Sequence, residues 1–414
     1  MDIFVYADWA QLSKPVLMGT LSVFHTKGRE VFSFAYDKEW LKKGNALGLD
    51  PDLQFFEGPQ YLPEGKKNFG IFLDSSPDRW GRVLMARREA IKARMEGKKA
   101  KTLFEEDYLL GVLDLHRMGA IRFKTEPSEQ FLNDDTMFAA PPMTSLRELE
   151  YASLQLEKDL KNDKDSLKWI NILINPGGSL GGARPKASIT RPDGLWIAKF
   201  PSLIDGTDIG GWEVVTQILA KKAGLRTANG IVRKFNSPYH TYLSKRFDRT
   251  TSGARIHFAS AMTLLGKSDG EEGASYLDLA AFIIQQGANT DNDLEELWRR
   301  IVFFIAVKNT DDHLRNHGFI LVPGSGWILS PAYDVNPVHH GTGLTLNISE
   351  NDNSLDFDLA LSVAKYFRLN EQRSQTIISE IKKAVLGWQK IAIQLSIPRS
   401  EQELMASAFE KANE

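Results

Sequence analysis

The sequence predicts an α+β protein whose mixed N-terminal portion is followed by a mainly helical C-terminal portion. Three observations predict it. Alternating apolar stretches punctuated by Gly and Pro (Ile3 to Ala7, Leu17 to Phe24, Val31 to Tyr36) read as strands in a small α/β unit over residues 1–125. A second group of strand-like runs follows a Gly-rich turn between residues 175 and 250. Beyond Thr250 the apolar residues fall at helical spacing, with candidate helices near 275–287, 291–308, 356–366 and 371–393.

The elements follow in order. A basic helix is expected around Arg82 to Lys101, and the Pro-rich, polar stretch from Lys124 to Thr144 reads as a linker or long surface loop. Ser145 with Glu148 three residues later has the spacing of a capping box, opening a helix through Leu146, Leu149 and Leu156. The loop NPGGSLGGARPK (175–186) leads into a hairpin, Ala187 to Thr190 and Leu195 to Phe200, turning at Arg191-Pro192-Asp193-Gly194. A helix over Trp212 to Ala223 ends at Gly224, and strands over Gly230 to Phe235 and Thr241 to Phe247 complete a small sheet. The expected units are 1–125, 145–250 and 251–414.

Composition narrows the chemistry. The 414 residues carry 51 Lys plus Arg against 53 Asp plus Glu and are 42% hydrophobic, which fits two or three globular units. A net charge of -2 argues against a strongly basic nucleic-acid binder, since neutralising phosphates calls for a surplus of cations. The absence of cysteine excludes disulfides, thiolate catalysis and cysteine-held metals, so reactive groups must be oxygen or nitrogen based. The N-terminus MDIFVYADWAQ lacks the basic and apolar regions of a signal peptide, and the longest apolar run, Ile301 to Val307, is far short of the roughly 20 residues a membrane helix needs. The expected location is the cytoplasm, with no membrane partner.

The most informative stretch is Lys308 to His317, KNTDDHLRNH, between an apolar helix and a strand, Gly318 to Val322. Phosphoryl transfer from ATP needs a carboxylate near the acceptor hydroxyl and oxygen ligands for magnesium, and kinases supply these as Asp and Asn five positions apart. Asp311 and Asn316 have that separation. A second strand, Trp327 to Leu329, then carries the chain through Ser330-Pro331-Ala332-Tyr333 to Asp334, a second carboxylate for a hard cation. Lys199 lies on a strand after the Gly-rich loop, where its ammonium could meet phosphates, and Glu213 on the next helix is the candidate to orient it. Gly177, Gly178, Gly181 and Gly182 allow backbone N–H groups to approach phosphate oxygens.

The order SLGGARPKA, WIAKF, SKRFDR, NTDDHLRNH and SPAYDVNP resembles the HipA family of bacterial toxin kinases, and the segments Asp74 to Arg82 and GVLDLHRMGAIRF (111–123) resemble its accessory segment. The resemblance implies a serine/threonine protein kinase using ATP and Mg2+, with a two-lobed kinase-like core, an N-terminal accessory subdomain and a helical C-terminal lobe. It implies a protein substrate of the translation machinery, such as an aminoacyl-tRNA synthetase, and a helix-turn-helix antitoxin through which DNA is contacted indirectly. By position it makes Asp311 the catalytic base, Asn316 and Asp334 the magnesium ligands and Lys199 the phosphate-binding lysine. Ser179, Leu180, Gly181, Gly182, Ala183, Lys186 and His313 join Lys199 in the nucleotide site, and the backbone at Lys245 and Phe247 holds adenine. Ser179 matches the family's autophosphorylated serine. Two departures stand out: Lys245 occupies a position where Glu is expected, and the segment after Arg249 lacks the family's acidic run.

Plainer readings accompany each residue. Asp and Asn commonly cap helices and shape turns, a strand lysine is usually at the surface, a first-turn Glu such as Glu213 also complements a helix dipole, and a serine in a Gly-rich turn need do nothing more. His313 and His317 stand four apart, but Leu314 occupies the place where a zinc-binding HExxH has Glu, so hydrogen bonding that orders the loop for His313 and capping or packing for His317 are the expectations. The basic run from Arg87 to Lys101 reads first as a solvated helix face. The rivals to a protein kinase are a small-molecule kinase of the aminoglycoside type and a catalytically dead interaction protein.

Overall fold

The structure, a computed structural model, describes residues 1–26, 28–42, 48–134, 145–158, 163–173, 182 and 184–414. The chain divides into two compact units, Met1–Leu203 with Lys245–Ala259, and Ile204–Ser244 with Ser260–Glu414.

The first unit is built on β1 (Asp2–Ala7), β2 (Val16–Thr26), β3 (Arg29–Tyr36), β4 (Pro59–Tyr61) and β5 (Ile121–Lys124), a sheet of order β4-β3-β2-β1-β5 with every pairing antiparallel. The alternation seen in the sequence is the alternation of burial: Ile3, Val5 and Ala7 of β1 face the core. Four helices intervene, α1 (Lys38–Lys42), α2 (Gly70–Asp74), α3 (Arg79–Met95) and α4 (Glu105–Gly111). Phe72 of α2 packs against Phe34, Phe69 and Phe123 at ring separations of 5.7, 6.0 and 5.9 Å. The basic segment is helical only to Met95, where Gly97 with φ +65° ends the turn; Lys98 to Lys101 lie beyond it.

Then come α5 (Leu146–Glu157) and α6 (Asp163–Leu173), followed by the expected hairpin, β6 (Lys186–Arg191) and β7 (Gly194–Lys199). The helix at Leu146 forms, but the capping box does not: Ser145 already has helical angles, φ -85° and ψ -2°, which take its hydroxyl away from the amides a cap would satisfy.

A buried charged cluster joins two segments of this unit that are far apart in sequence. Asp248 accepts from Arg246 Nε at 2.8 Å and Nη2 at 2.6 Å, from Arg249 Nη1 at 2.6 Å and from the Gly119 amide at 2.9 Å. Asp114 accepts from Arg122 and Arg255, while Arg117 donates to the carbonyls of Ser75, Leu109, Val112 and Leu132. Gly119 has φ +70°, and a Cβ there would meet the Phe258 backbone at 3.2 Å, so this close approach requires glycine.

The chain continues through α7 (Ile209–Lys222), the antiparallel pair β8 (Gly230–Arg233) and β9 (Thr241–Lys245), β10 (Phe258–Ser260), α8 (Ala261–Leu264), α9 (Tyr276–Gln286) and α10 (Thr290–Val307). The hairpin β11 (Gly318–Val322) and β12 (Gly326–Leu329) precedes α11 (Phe357–Val363), α12 (Glu371–Val385), α13 (Trp388–Gln394) and α14 (Arg399–Met405). Buried α10 is the spine of the second unit, its Trp298 indole donating to the Ala360 carbonyl at 3.0 Å. The single helix expected over 371–393 is broken at Leu386–Gly387, which seats Trp388 on Phe409 with rings stacked 4.7 Å apart. Among the described residues no helix is long and apolar enough to cross a membrane.

Candidate functional site

In the second unit the buried helix α10 stops at Lys308, whose φ of +47° turns the backbone sharply into the 309–316 loop. The Asn316 Nδ2 donates to the Asp311 carbonyl at 2.7 Å, closing the loop on itself across the five-residue spacing. Asp312, next to the exposed Asp311, points inward. It is fully buried, accepts from the Tyr276 hydroxyl and from the Thr345 amide at 2.6 Å, and burial pushes its carboxyl up to about 6 against those hydrogen bonds. Asp312 is thus the loop's anchor and Asp311 its projecting carboxylate.

The hairpin β11–β12 returns the chain to this loop. Tyr333 donates its hydroxyl to the Arg315 carbonyl at 2.7 Å, and the Asn336 amide donates to Asn309 Oδ1 at 2.9 Å. Between these ties sits Asp334, held at φ +56°, a left-handed conformation uncommon for a residue with a side chain. Asp311 senses it: although its side chain projects into solvent, surrounding protein displaces part of its water and pushes the carboxyl above its usual range, His313 with Nε2 at 3.8 Å opposes this, and the Asp334 carboxylate reinforces it. The second unit therefore brings Asp311, His313, Asn316 and Asp334 together. His317 is instead a core residue, edge-on to Tyr276 at 5.5 Å, with burial pushing its imidazole down to about 3.

The donor set tests the fit of a cation. Asn316 Oδ1 is buried with no hydrogen-bond partner, a costly state for a polar atom that nothing else accounts for. That amide oxygen, on the same loop as Asp311, and the mutually interacting carboxylates of Asp311 and Asp334 are all hard oxygen donors, of the kind magnesium takes while keeping waters of its own. The residues fit such an ion.

In the first unit, Lys186 and Lys199 are direct cross-strand partners, so their side chains share one face of the hairpin. Trp196, Ala198 and Phe200 are buried on the other face, as the alternation requires. The two lysines differ. Lys186 is buried and its ammonium lies 2.7 Å from Asp78, the N-cap of α3, and 3.3 Å from the Gly182 carbonyl, which commits it to the protein. Lys199 is half-buried. Lys245 Nζ lies 3.3 Å from Asp193, and Phe247 packs on Phe258 at 5.6 Å, while Arg246 and Asp248 between and beyond them turn into the charged cluster. Gly182 has φ +83°, while Gly177, Gly178, Ser179, Leu180, Gly181 and Ala183 lie outside the described residues. Glu213 of α7 is buried, and its charge adds to the burial that raises the Tyr242 hydroxyl.

Asn309, Asp312, Tyr333 and Asn336 lie inside the segments NTDDHLRNH and SPAYDVNP without a role being legible from them, and Tyr276 lies outside both. Proximity in the chain is the available signal for Asp312, beside Asp311, and for Asn336, two residues after Asp334, while Tyr276 reaches Asp312 across 36 residues and has none. An open groove of about 670 Å³, lined among others by Leu277, Ile284, Glu350, Asp352 and Tyr366, includes none of Asp311, Asn316, Asp334, Lys186 and Lys199.

Residues 178–388, just over half of the chain, match the model of the HipA-like C-terminal domain. The chain belongs to the HipA-like family. A Haemophilus influenzae protein named "Putative kinase" is 30% identical over 179 residues, which are 38% of this chain and 52% of that protein, so the match spans about half the length of that relative. HipA in the Shewanella oneidensis complex of a toxin–antitoxin system with HipB and operator DNA shares the HipA-like fold over 99% of this chain and 95% of that one, with a TM-score of 0.67 at 17% identity. The Helicobacter pylori proinflammatory kinase CtkA overlaps over 57% of this chain and 90% of that one at 15% identity, and its TM-score of 0.43 is below the level at which a common fold is argued.

Proposed function

We propose that this HipA-like chain is an ATP- and Mg2+-dependent serine/threonine protein kinase. The observation that carries the reading is the coincidence, on two loops tied together by Asn336–Asn309 and Tyr333–Arg315, of an upward-shifted Asp311, an Asn316 oxygen without a partner and a strained Asp334. In this reading Asp311 accepts the proton of the attacking hydroxyl as its oxygen bonds to the γ-phosphorus and the bond to the β-phosphate oxygen breaks. Asn316 and Asp334 would hold the magnesium, which when bound offsets the charge of the phosphates. Lys199, on the hairpin face it shares with Lys186, is the phosphate ligand of this reading. Lys186 then keeps Gly182, at the end of the Gly-rich loop, in place. His313 flanks the base, the backbone at Lys245 and Phe247 receives adenine, and Ser179 is the self-modified residue.

The accessory subdomain (residues 1–125), the nucleotide lobe (145–250) and the helical lobe (251–414) are the functional divisions within this reading. A protein of the translation machinery is the substrate class, the cytoplasm the location, and a small DNA-binding antitoxin the partner, as in the Shewanella complex. Incubation with γ-labelled ATP, Mg2+ and cell lysate tests the activity. A labelled protein band, with a phosphate on Ser179 by peptide mass spectrometry, is expected. Label confined to a small molecule, or no transfer at all, overturns the reading.

A further inference from the structure

The loop that carries Asp334 holds a second carboxamide whose hydrogen bonds have the same asymmetry as those of Asn316. The Asn336 backbone N–H goes to Asn309 Oδ1 at 2.9 Å, and its Nδ2 donates to Asp334 Oδ1 at 3.1 Å. Its Oδ1 is buried and accepts nothing. Asn316 repeats the pattern, with Nδ2 given to the Asp311 carbonyl at 2.7 Å and Oδ1 buried and open. Two side-chain amides thus use their donors on the protein and keep their acceptors open, and one of them is bonded to a carboxylate fixed in a left-handed turn. A buried acceptor without a donor is costly, and one that recurs on two facing loops calls for an incoming partner that is itself a cation or a donor. A hydrated divalent ion is both.

We infer that Asn336 is a positioning residue of the cation site: its Nδ2 fixes the carboxylate of Asp334, and its Oδ1 receives the hydration shell of the ion that Asp334 and Asn316 hold. The inference rests on the reading of that pair as magnesium ligands. Its physical basis is that a metal-binding carboxylate is oriented by a hydrogen bond to its remaining lone pairs, and loss of such a partner commonly weakens metal affinity about ten- to hundredfold. The backbone tie to Asn309 does not depend on the side chain, so truncating Asn336 leaves the 334–336 turn attached to the 309–316 loop.

The test uses the full chain and a fluorescent, non-hydrolysable ATP analogue, titrated with Mg2+ and, separately, in EDTA. Asn336→Ala should raise the Mg2+ concentration at half-maximal nucleotide binding by about ten- to hundredfold, while metal-free nucleotide affinity and the melting temperature of the apoprotein stay near wild type. Asn336→Ser, which restores a donor at shorter reach, should lie between the two and serves as the measured variant if Asn336→Ala does not fold. A merely structural role would move metal-free binding and melting as well, and that result overturns the inference, as does an unchanged Mg2+ midpoint. Asp334→Asn is run in parallel. If it leaves the Mg2+ midpoint unchanged, the site reading itself is wrong; if it shifts the midpoint and Asn336→Ala does not, only the role of Asn336 falls.

Discussion

Two polar clusters are built from similar residues and treat their hydrogen bonds in opposite ways. Around Asp248 and Asp114 in the first unit, the carboxylate oxygens are met by guanidinium or amide donors, and the second segment of that cluster is tied to the first without an open acceptor on either carboxylate. Around Asp311 and Asp334 in the second unit, the loops are just as firmly tied, yet the Asn316 and Asn336 oxygens are left open and Asp311 projects outward. Burial of charge alone does not mark a site. The two clusters differ in whether the carboxylates and carboxamides find donors within the protein, and the proposed reading gives the open oxygens of the second to a cation.

The comparison breaks most decisively at Asp311. If Asp311 is the proton acceptor proposed above, Asp311→Asn, which keeps the volume, should lower phosphotransfer by about 10²–10⁴-fold with nucleotide binding and melting temperature preserved, as measured by initial rates and thermal unfolding. The same substitution in the saturated cluster should do the reverse. Asp248→Asn leaves the buried Arg246 and Arg249 without their carboxylate and should cost about 3–5 kcal/mol in denaturant unfolding, and a loss below about 1 kcal/mol would place the cluster with ordinary surface pairs.

A titration next to that cluster sharpens the contrast further. His257 is fully buried against Trp9, and burial pushes its imidazole down to about 4 from an ordinary value of 6.5. The folded form therefore binds a proton more weakly than the unfolded chain does. Its full stability is present above pH 6.5 and is lost as pH falls toward 4, by on the order of 3 kcal/mol in all. His257→Leu should flatten that region of the stability–pH profile, and an unchanged slope between pH 6.5 and 4 would show that His257 is not its source. The smallest effect belongs to Ser145, where no cap bond is made: Ser145→Ala should change stability by less than about 0.5 kcal/mol, against the ~1 kcal/mol a working cap loses.

What the residues disclose by themselves is local. Alternation and turn chemistry mark β1, β2, β3 and the β6–β7 hairpin, and the Asp311–Asn316 spacing locates the 309–316 loop. The five- to seven-residue helices α1, α2 and α4 escape because one or two turns hold too few apolar positions to show a 3.6-residue period. Gly387 is the available signal for the break between α12 and α13. Asp248 with Gly119 is out of reach, being a contact across 129 residues, and Ser145 misleads because its side-chain type matches a cap while its backbone does not.

The pairing of Lys186 with Lys199 constrains how this hairpin can change over generations. Because side chains alternate along a strand, inserting or deleting one residue within β7 would exchange its two faces, sending the 199 ammonium toward the core in place of Ala198 and exposing Trp196. A change of two residues restores the faces. Length variation inside this strand should therefore survive selection in pairs, whereas the turn at Pro192-Asp193 can grow without disturbing the face that the two lysines share.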